Sequence, residues 1–305
     1  MNNTSKTAFI AIVGKANVGK SSILNKLIGS KIAIVSSKPQ TTRTRIMGVL
    51  TTEDNVQLVF TDTPGFHKPK NKLGEKMVQA VSDSISGVDS CLFVVDANDE
   101  KLNTAELELI KKFKSEKMTV VLAINKIDML KDKTELMKKL AELSALYDFK
   151  AIVPVSAQSG DGLDALLDEL KALSVESIHF FPDDTLTDQP ERVLVAEIIR
   201  EKMLRLLDKE IPHGTAVAIE RMRERDDGSI MDVEATIYCE RESHKGIIIG
   251  KQGSMLKKIG MNARKDIENM LESKVNLQLW VKVKKDWRDS EFLLKNFGYN
   301  QKEYE

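Results

Sequence analysis

Eight residues near the amino end, Gly14-Lys15-Ala16-Asn17-Val18-Gly19-Lys20-Ser21, have the types and spacing to hold a chain of phosphates. They fit G-x-x-x-x-G-K-[ST] between the apolar run Phe9–Val13 and a helix pattern carrying Ile23, Leu24, Leu27 and Ile28. In such a loop the glycines let successive backbone N–H groups turn inward toward phosphate oxygens, and the helix N-terminus adds partial positive charge. Lys20 is the compact charge for the β and γ phosphates, Ser21 offers a hydroxyl to Mg²⁺, and Ser22 follows in the cradle. A chance glycine-rich turn would lack that strand–loop–helix setting.

A second phosphate element, Asp62-Thr63-Pro64-Gly65, ends the apolar run Val56–Thr61. Acids at the carboxyl ends of parallel strands sit where ligands bind. Asp62 therefore suits Mg²⁺, and the Gly65 N–H suits the γ-phosphate. After the run Val120–Ile124 comes Asn125-Lys126-Ile127-Asp128. A buried carboxylate at Asp128 accepts from the two donors on the guanine edge, a pair that adenine lacks. Asn125 is expected to tie loops together, the Lys126 stem to stack over the purine, and Ser156-Ala157 to meet the guanine carbonyl. These elements in this order predict a guanine nucleotide and argue against an ATP-driven kinase or transporter.

The polar stretch Ser36–Arg45 lies where a γ-phosphate-sensing loop belongs. Thr42 is the expected third metal-side hydroxyl, with Thr41 the alternative. Lys20, Thr42 and Gly65 are thus the expected catalytic groups. Many GTPases carry a water-orienting glutamine where Phe66 stands here, which predicts slow intrinsic hydrolysis that needs help. Asn17 is either a holder of a monovalent cation such as K⁺ or a tolerant loop residue.

The elements that must position these groups are legible as short apolar runs alternating with helix patterns such as Thr104–Phe113 and Thr134–Tyr147. That order predicts a doubly wound, mostly parallel α/β domain over residues 1–175, with Ile46–Thr51 an antiparallel edge strand. No Lys or Arg occurs from Ala172 to Glu191, so the acidic, proline-punctuated stretch 176–191 is the expected linker. Residues 192–305 then read helix, two strands, helices, strand: a smaller α+β domain. Formal net charge is +0, so any nucleic-acid surface is local. Cys91 and Cys239 lie in apolar runs and are expected to be buried reduced thiols. No signal peptide or apolar run long enough to cross a bilayer is visible, which predicts a soluble protein.

In the second domain Ile247-Ile248-Ile249 runs into Gly250-Lys251-Gln252-Gly253 and another helix pattern. A GxxG loop so placed clamps a single-stranded backbone, as in K-homology (KH) domains. From Lys245 to Arg288 eleven basic residues face four acidic ones, a local phosphate footprint. The expected RNA-binding residues are Lys245, Ile249, Gly250, Lys251, Gln252, Gly253, Lys257 and Lys258.

The runs GKANVGKSS, QTTRTR, DTPGFH, NKID, SAQSGDG, DQPERVLVAEIIREK, HKGIIIGKQGSMLKKIG and LWVKVKKDWR together resemble the Era GTPase family over nearly the whole chain. The later runs are the most specific. The resemblance implies a P-loop GTPase domain followed by a KH domain that binds the 3′ end of small-subunit ribosomal RNA. It further implies a role in small (30S) subunit assembly, a cytoplasmic monomer cycling between GTP and GDP, and peripheral contact with the cell membrane. A rival reading is an RNA-binding module whose nucleotide is only a structural ligand.

Overall fold

The computed structural model describes residues 4–65 and 71–299. Among these the chain forms two compact units, one of residues 4–33, 42–65 and 77–188 and one of residues 34–41, 71–76 and 189–299. In chain order the first elements are β1 (Lys6–Val13), α1 (Lys20–Ile28), β2 (Ile46–Thr51), β3 (Val56–Asp62), α2 (Lys72–Ser86), β4 (Ser90–Asp96) and α3 (Thr104–Glu116). They continue with β5 (Thr119–Asn125), α4 (Lys133–Ser144), β6 (Ala151–Pro154), α5 (Leu163–Lys171) and the short β7 (Val175–Glu176).

The sheet runs β2-β3-β1-β4-β5-β6, with β7 pairing antiparallel to β1. All its other pairings are parallel except β2 with β3, where the link is too short for a crossover. β1, β3, β4 and β5 are mostly apolar on both faces because both are covered. Ile10, Ile12, Leu58 and Val121 pack with Leu24 and Leu166 on one side. Ala11, Phe93, Val95 and Leu122 pack with Val81, Leu109 and Phe113 on the other. This frame delivers Asp62, Asp96 and Asn125, the last residues of β3, β4 and β5, to one end of the sheet.

The stretch 176–191 is not an open connection within the first unit. Gln57, fully buried on β3, accepts from the backbone N–H groups of Phe180 (2.8 Å) and Phe181 (3.0 Å). Its amide donates to the Phe181 carbonyl (2.9 Å) and the Thr51 hydroxyl (3.1 Å). Val49 N–H donates to the Leu186 carbonyl at 2.9 Å, so the strap covers the open edge of β2. Composition marks this segment as a connection, but hydrogen bonds hold it to the sheet up to Thr187, whose hydroxyl donates to the Met47 carbonyl at 2.6 Å.

The second unit contains α6 (Glu191–Leu206), β8 (Thr215–Glu224), β9 (Ile230–Cys239), α7 (Glu242–Ile249), α8 (Ser254–Leu271), β10 (Lys274–Val283) and α9 (Glu291–Asn296). Its sheet runs β10-β9-β8, with β9 parallel to β10 and antiparallel to β8. Val195, Ile199 and Met203 of α6 pack with Val233, Ala235 and Ile237 of β9 and with Ile259, Ala263 and Ile267 of α8. Three consecutive charged residues of α6, Arg200, Glu201 and Lys202, are also buried. They are tolerated because each is paired. Arg200 binds Glu197 and the carbonyls of Gln40 and Thr41, Glu201 accepts from Val35 N–H (3.0 Å), and Lys202 pairs with Glu201 and Asp266. Residues 34–41 are thereby held in the second unit. Both cysteines are free and buried, and burial pushes the Cys91 thiol up to about 12. No helix among the described residues is long and apolar enough to cross a membrane.

Candidate functional site

The phosphate cradle occupies the turn between β1 and α1. Gly19 caps α1 in the left-handed region (φ 101°), and a Cβ there would stand 2.1 Å from the Asn125 side-chain nitrogen. Glycine is required at that position by both conformation and contact. Asn17 is also left-handed (φ 66°), a conformation that asparagine adopts more readily than most residues. Lys20 is buried, and its ammonium donates to the carbonyls of Gly14 (3.2 Å) and Lys15 (2.9 Å). The Lys15 side chain turns away to pair with Asp99. Ala16 marks the approach of the second element, since a Cβ on Gly65 would fall 2.5 Å from its Cα. Thr63 anchors that element by donating to the Ile12 carbonyl at 2.8 Å, and Pro64 is buried beside it. Val18 is buried in the core beneath the loop, and Ser22 is half-buried on the first turn of α1.

Three oxygens converge beside the cradle. The Ser21 hydroxyl donates to Asp62 Oδ2 at 2.5 Å and lies 3.0 Å from the Thr42 hydroxyl, which is 3.4 Å from the same carboxylate oxygen. Thr41 is directed elsewhere: its hydroxyl meets that of Ser36 (2.8 Å) and the Lys38 carbonyl (2.6 Å). The other carboxylate oxygen of Asp62 is buried without a hydrogen-bond partner among the described residues. A hard divalent cation satisfies such an oxygen-only cluster, so Ser21, Thr42 and Asp62 fit Mg²⁺. Burial lowers the Lys20 pKa and raises that of Asp62, and the charge of each opposes the shift of the other. A polyphosphate beside Lys20 and a cation beside Asp62 would favour both charged forms, so the pair is built for both together. Phe66 lies outside the described residues.

At the base end, Asn125 is buried and links two loops. Its amide donates to the Val18 carbonyl at 2.7 Å, and its carbonyl oxygen accepts from Ala157 N–H at 3.0 Å. Asp128 differs from the buried carboxylate expected: it is exposed on a 3₁₀ turn, Ile127–Met129, at the rim. Its direction is set instead by Ser156, fully buried, whose hydroxyl donates to Asp128 Oδ1 at 2.5 Å. Sequence reasoning missed Asp96, whose carboxylate holds the Lys126 ammonium at 2.6 Å. The signal was available, because Asp96 ends a parallel strand just as Asp62 does.

In the second unit α7 stops at Gly250 (φ 73°), a 3₁₀ turn covers Lys251–Gly253, and α8 begins at Ser254. A Cβ on Gly250 would come 2.8 Å from Met255 N, so the turn is tight against α8. Lys251, Gln252, Lys257 and Lys258 are exposed around it, and Lys245 is half-buried. Ile249 packs against the core and anchors the loop from below. The result is a solvated positive turn at a helix N-terminus, able to approach a phosphate backbone closely.

Residues 9–126 match the family described as 50S ribosome-binding GTPase, and residues 210–288 match the KH domain. The GTPase Era of Clostridioides difficile (strain 630) is 52% identical over 301 residues, covering 97% of this chain and 99% of that protein. The GTPase Era of Ruminiclostridium cellulolyticum is 51% identical over 294 residues, covering 96% and 97%. A crystal structure of Era with MgGDPNP and nucleotides 1506–1542 of 16S ribosomal RNA superposes with a TM-score of 0.92. It is 39% identical and covers 97% of this chain and 99% of that one. A variant of Aquifex aeolicus Era bound to GDP·AlF₄⁻ gives the same TM-score and identity, covering 96% and 99%.

Proposed function

The chain belongs to the Era family of GTPases and hydrolyses GTP, and on that premise we propose a magnesium-dependent switch acting in small-subunit assembly. Its RNA ligand is the 3′ end of small-subunit ribosomal RNA, taken by the Gly250–Gly253 loop and the lysines around it. The observation that carries the nucleotide half is the convergence of Ser21, Thr42 and Asp62 beside Lys20, with one Asp62 oxygen left for a cation. When bound, Mg²⁺ supplies charge neutralisation at the β and γ phosphate oxygens. Lys20 and the Gly65 N–H hold the terminal phosphate, Thr42 responds to its presence, and Asn125, Asp128, Ser156 and Ala157 select guanine. Lys126 lays its stem across the purine.

Segment 36–45 reports the γ-phosphate to the RNA-binding unit. Supporting this, residues up to Thr41 are held by Arg200 and Glu201, while the next residue, Thr42, bonds to Ser21. With Phe66 at the usual glutamine position, intrinsic hydrolysis is slow, and K⁺ held near Asn17 assists it. What supports action as a cytoplasmic monomer with peripheral contact at the cell membrane is the family resemblance.

Single-turnover hydrolysis with and without an RNA of the 16S 3′ end tests the switch, with K⁺ or Na⁺ as the salt. Stimulation by RNA and faster turnover in K⁺ are expected. Indifference to RNA, with equal RNA affinity in GDP and in a non-hydrolysable GTP analogue, leaves the nucleotide as a structural ligand. Equal rates in the two salts end the K⁺ reading alone.

A further inference from the structure

Lys126 is set in place more firmly than a loop lysine ordinarily is. Its backbone is left-handed (φ 68°), a conformation that is unfavourable for a residue other than glycine. It is imposed by neighbours on both sides. Ala97 N–H donates to the Asn125 carbonyl at 2.8 Å, Ile127 N–H to the Val155 carbonyl at 3.3 Å, and Met129 N–H to the Lys126 carbonyl at 3.0 Å. Backbone restraint alone leaves four side-chain torsions free, so something else must decide where the stem lies.

That group is Asp96. In the parallel β4–β5 register Asp96 stands directly beside Asn125, one residue before Lys126. Its Oδ2 is 2.6 Å from the Lys126 ammonium. Its Oδ1 accepts from both the backbone N–H and the side-chain amide of Asn98, each at 3.0 Å. The carboxylate is therefore pinned on one oxygen and clamps the lysine with the other. Its side chain is 14% exposed and that of Lys126 31%, so the pair is shielded from solvent without being sealed.

We infer that Asp96 is a positioning residue for guanine-nucleotide binding, holding the Lys126 ammonium so that the aliphatic stem is laid flat before the purine arrives. Preorganisation of this kind removes ordering entropy from the binding step. The inference rests on the reading that Lys126 covers the base. It places Asp96 on the base side of the site, apart from the phosphate and metal chemistry.

A double-mutant cycle decides it, read as Kd for GDP and KM for GTP on the full chain, with thermal unfolding as a control. Lys126→Ala weakens GDP binding. Asp96→Asn, which keeps the size and removes the charge, raises the Kd for GDP by about three- to fivefold and the KM for GTP by the same factor. In Asp96→Asn/Lys126→Ala, the Asp96 change adds less than about a further 1.5-fold, because its partner is gone. A purely structural Asp96 would instead weaken the Lys126→Ala protein as much as the wild type, and that result overturns the inference. So does an unchanged Kd in Asp96→Asn. If Lys126→Ala itself binds GDP normally, the stacking reading of Lys126 fails and takes this inference with it.

Discussion

The two units each present a glycine-bearing turn at a helix N-terminus, and they are built on opposite terms. The cradle before α1 is interior: Lys20 is 6% exposed, Asn125 2% and Asp62 0%. Lys20 closes the cradle on itself through the Gly14 carbonyl, while Asn125 and Asp62 are tied by hydrogen bonds that cross from one loop to another. The turn before α8 is exterior: its Lys251 and Gln252 are exposed, as are Lys257 and Lys258 near the start of α8. A buried, pre-paired site concentrates energy in a few groups and rejects ligands that leave them unsatisfied. An exposed cationic turn spreads its energy over many charges and gives way to salt. One unit is suited to choosing a single small molecule, the other to gripping a polymer whose backbone is everywhere alike.

Substitutions test that contrast directly. The largest effect belongs to Lys20→Ala, which should cost on the order of 10²–10³ in GTP turnover, as loss of one preorganised cation or donor does. Labelled-GTP binding and hydrolysis measure it, and normal uptake would break the account of the interior site. Next comes Gly250→Asp with Gly253→Asp. These put side chains at φ 73° and 78° and two negative charges into the turn, and they should weaken RNA retention by on the order of tenfold or more while GTP turnover without RNA persists. Filter binding to the 3′-terminal RNA reads this, and unchanged retention removes the turn from the interface. The smallest effect is expected for Lys257→Ala or Lys258→Ala singly. Each should lower RNA affinity a few-fold at low salt and flatten the log–log salt slope by about 0.7 if it meets a single-strand phosphate. A slope that does not move means that the lysine faces only solvent.

Much of this is legible in the sequence. The runs Val56–Thr61 and Val120–Ile124 are nearly continuous apolar runs, as expected for parallel strands covered on both faces, and the motif residues fall at their ends. Three features were not legible. Gln57 reads as one polar residue in a strand, yet its amide holds the strap at Phe180 and Phe181, more than a hundred positions away. Arg200, Glu201 and Lys202 are three charged residues between apolar positions of a helix, and partners from residues 35–41 and from Asp266 make them interior. Asp128 suits a buried acid by chemistry, but it stands at the rim with Ser156 turning it.

The order of short-range signals decided the local structure and the chemistry of each motif: glycine spacing, apolar period and the donors that a carboxylate can accept act within a few residues. The folded chain alone decided which polar groups are paired, because a partner such as Asp96 for Lys126, thirty positions apart, becomes a neighbour only through strand register. Burial converts that pairing into orientation, since a charge removed from water must be held by whatever the fold brings to it.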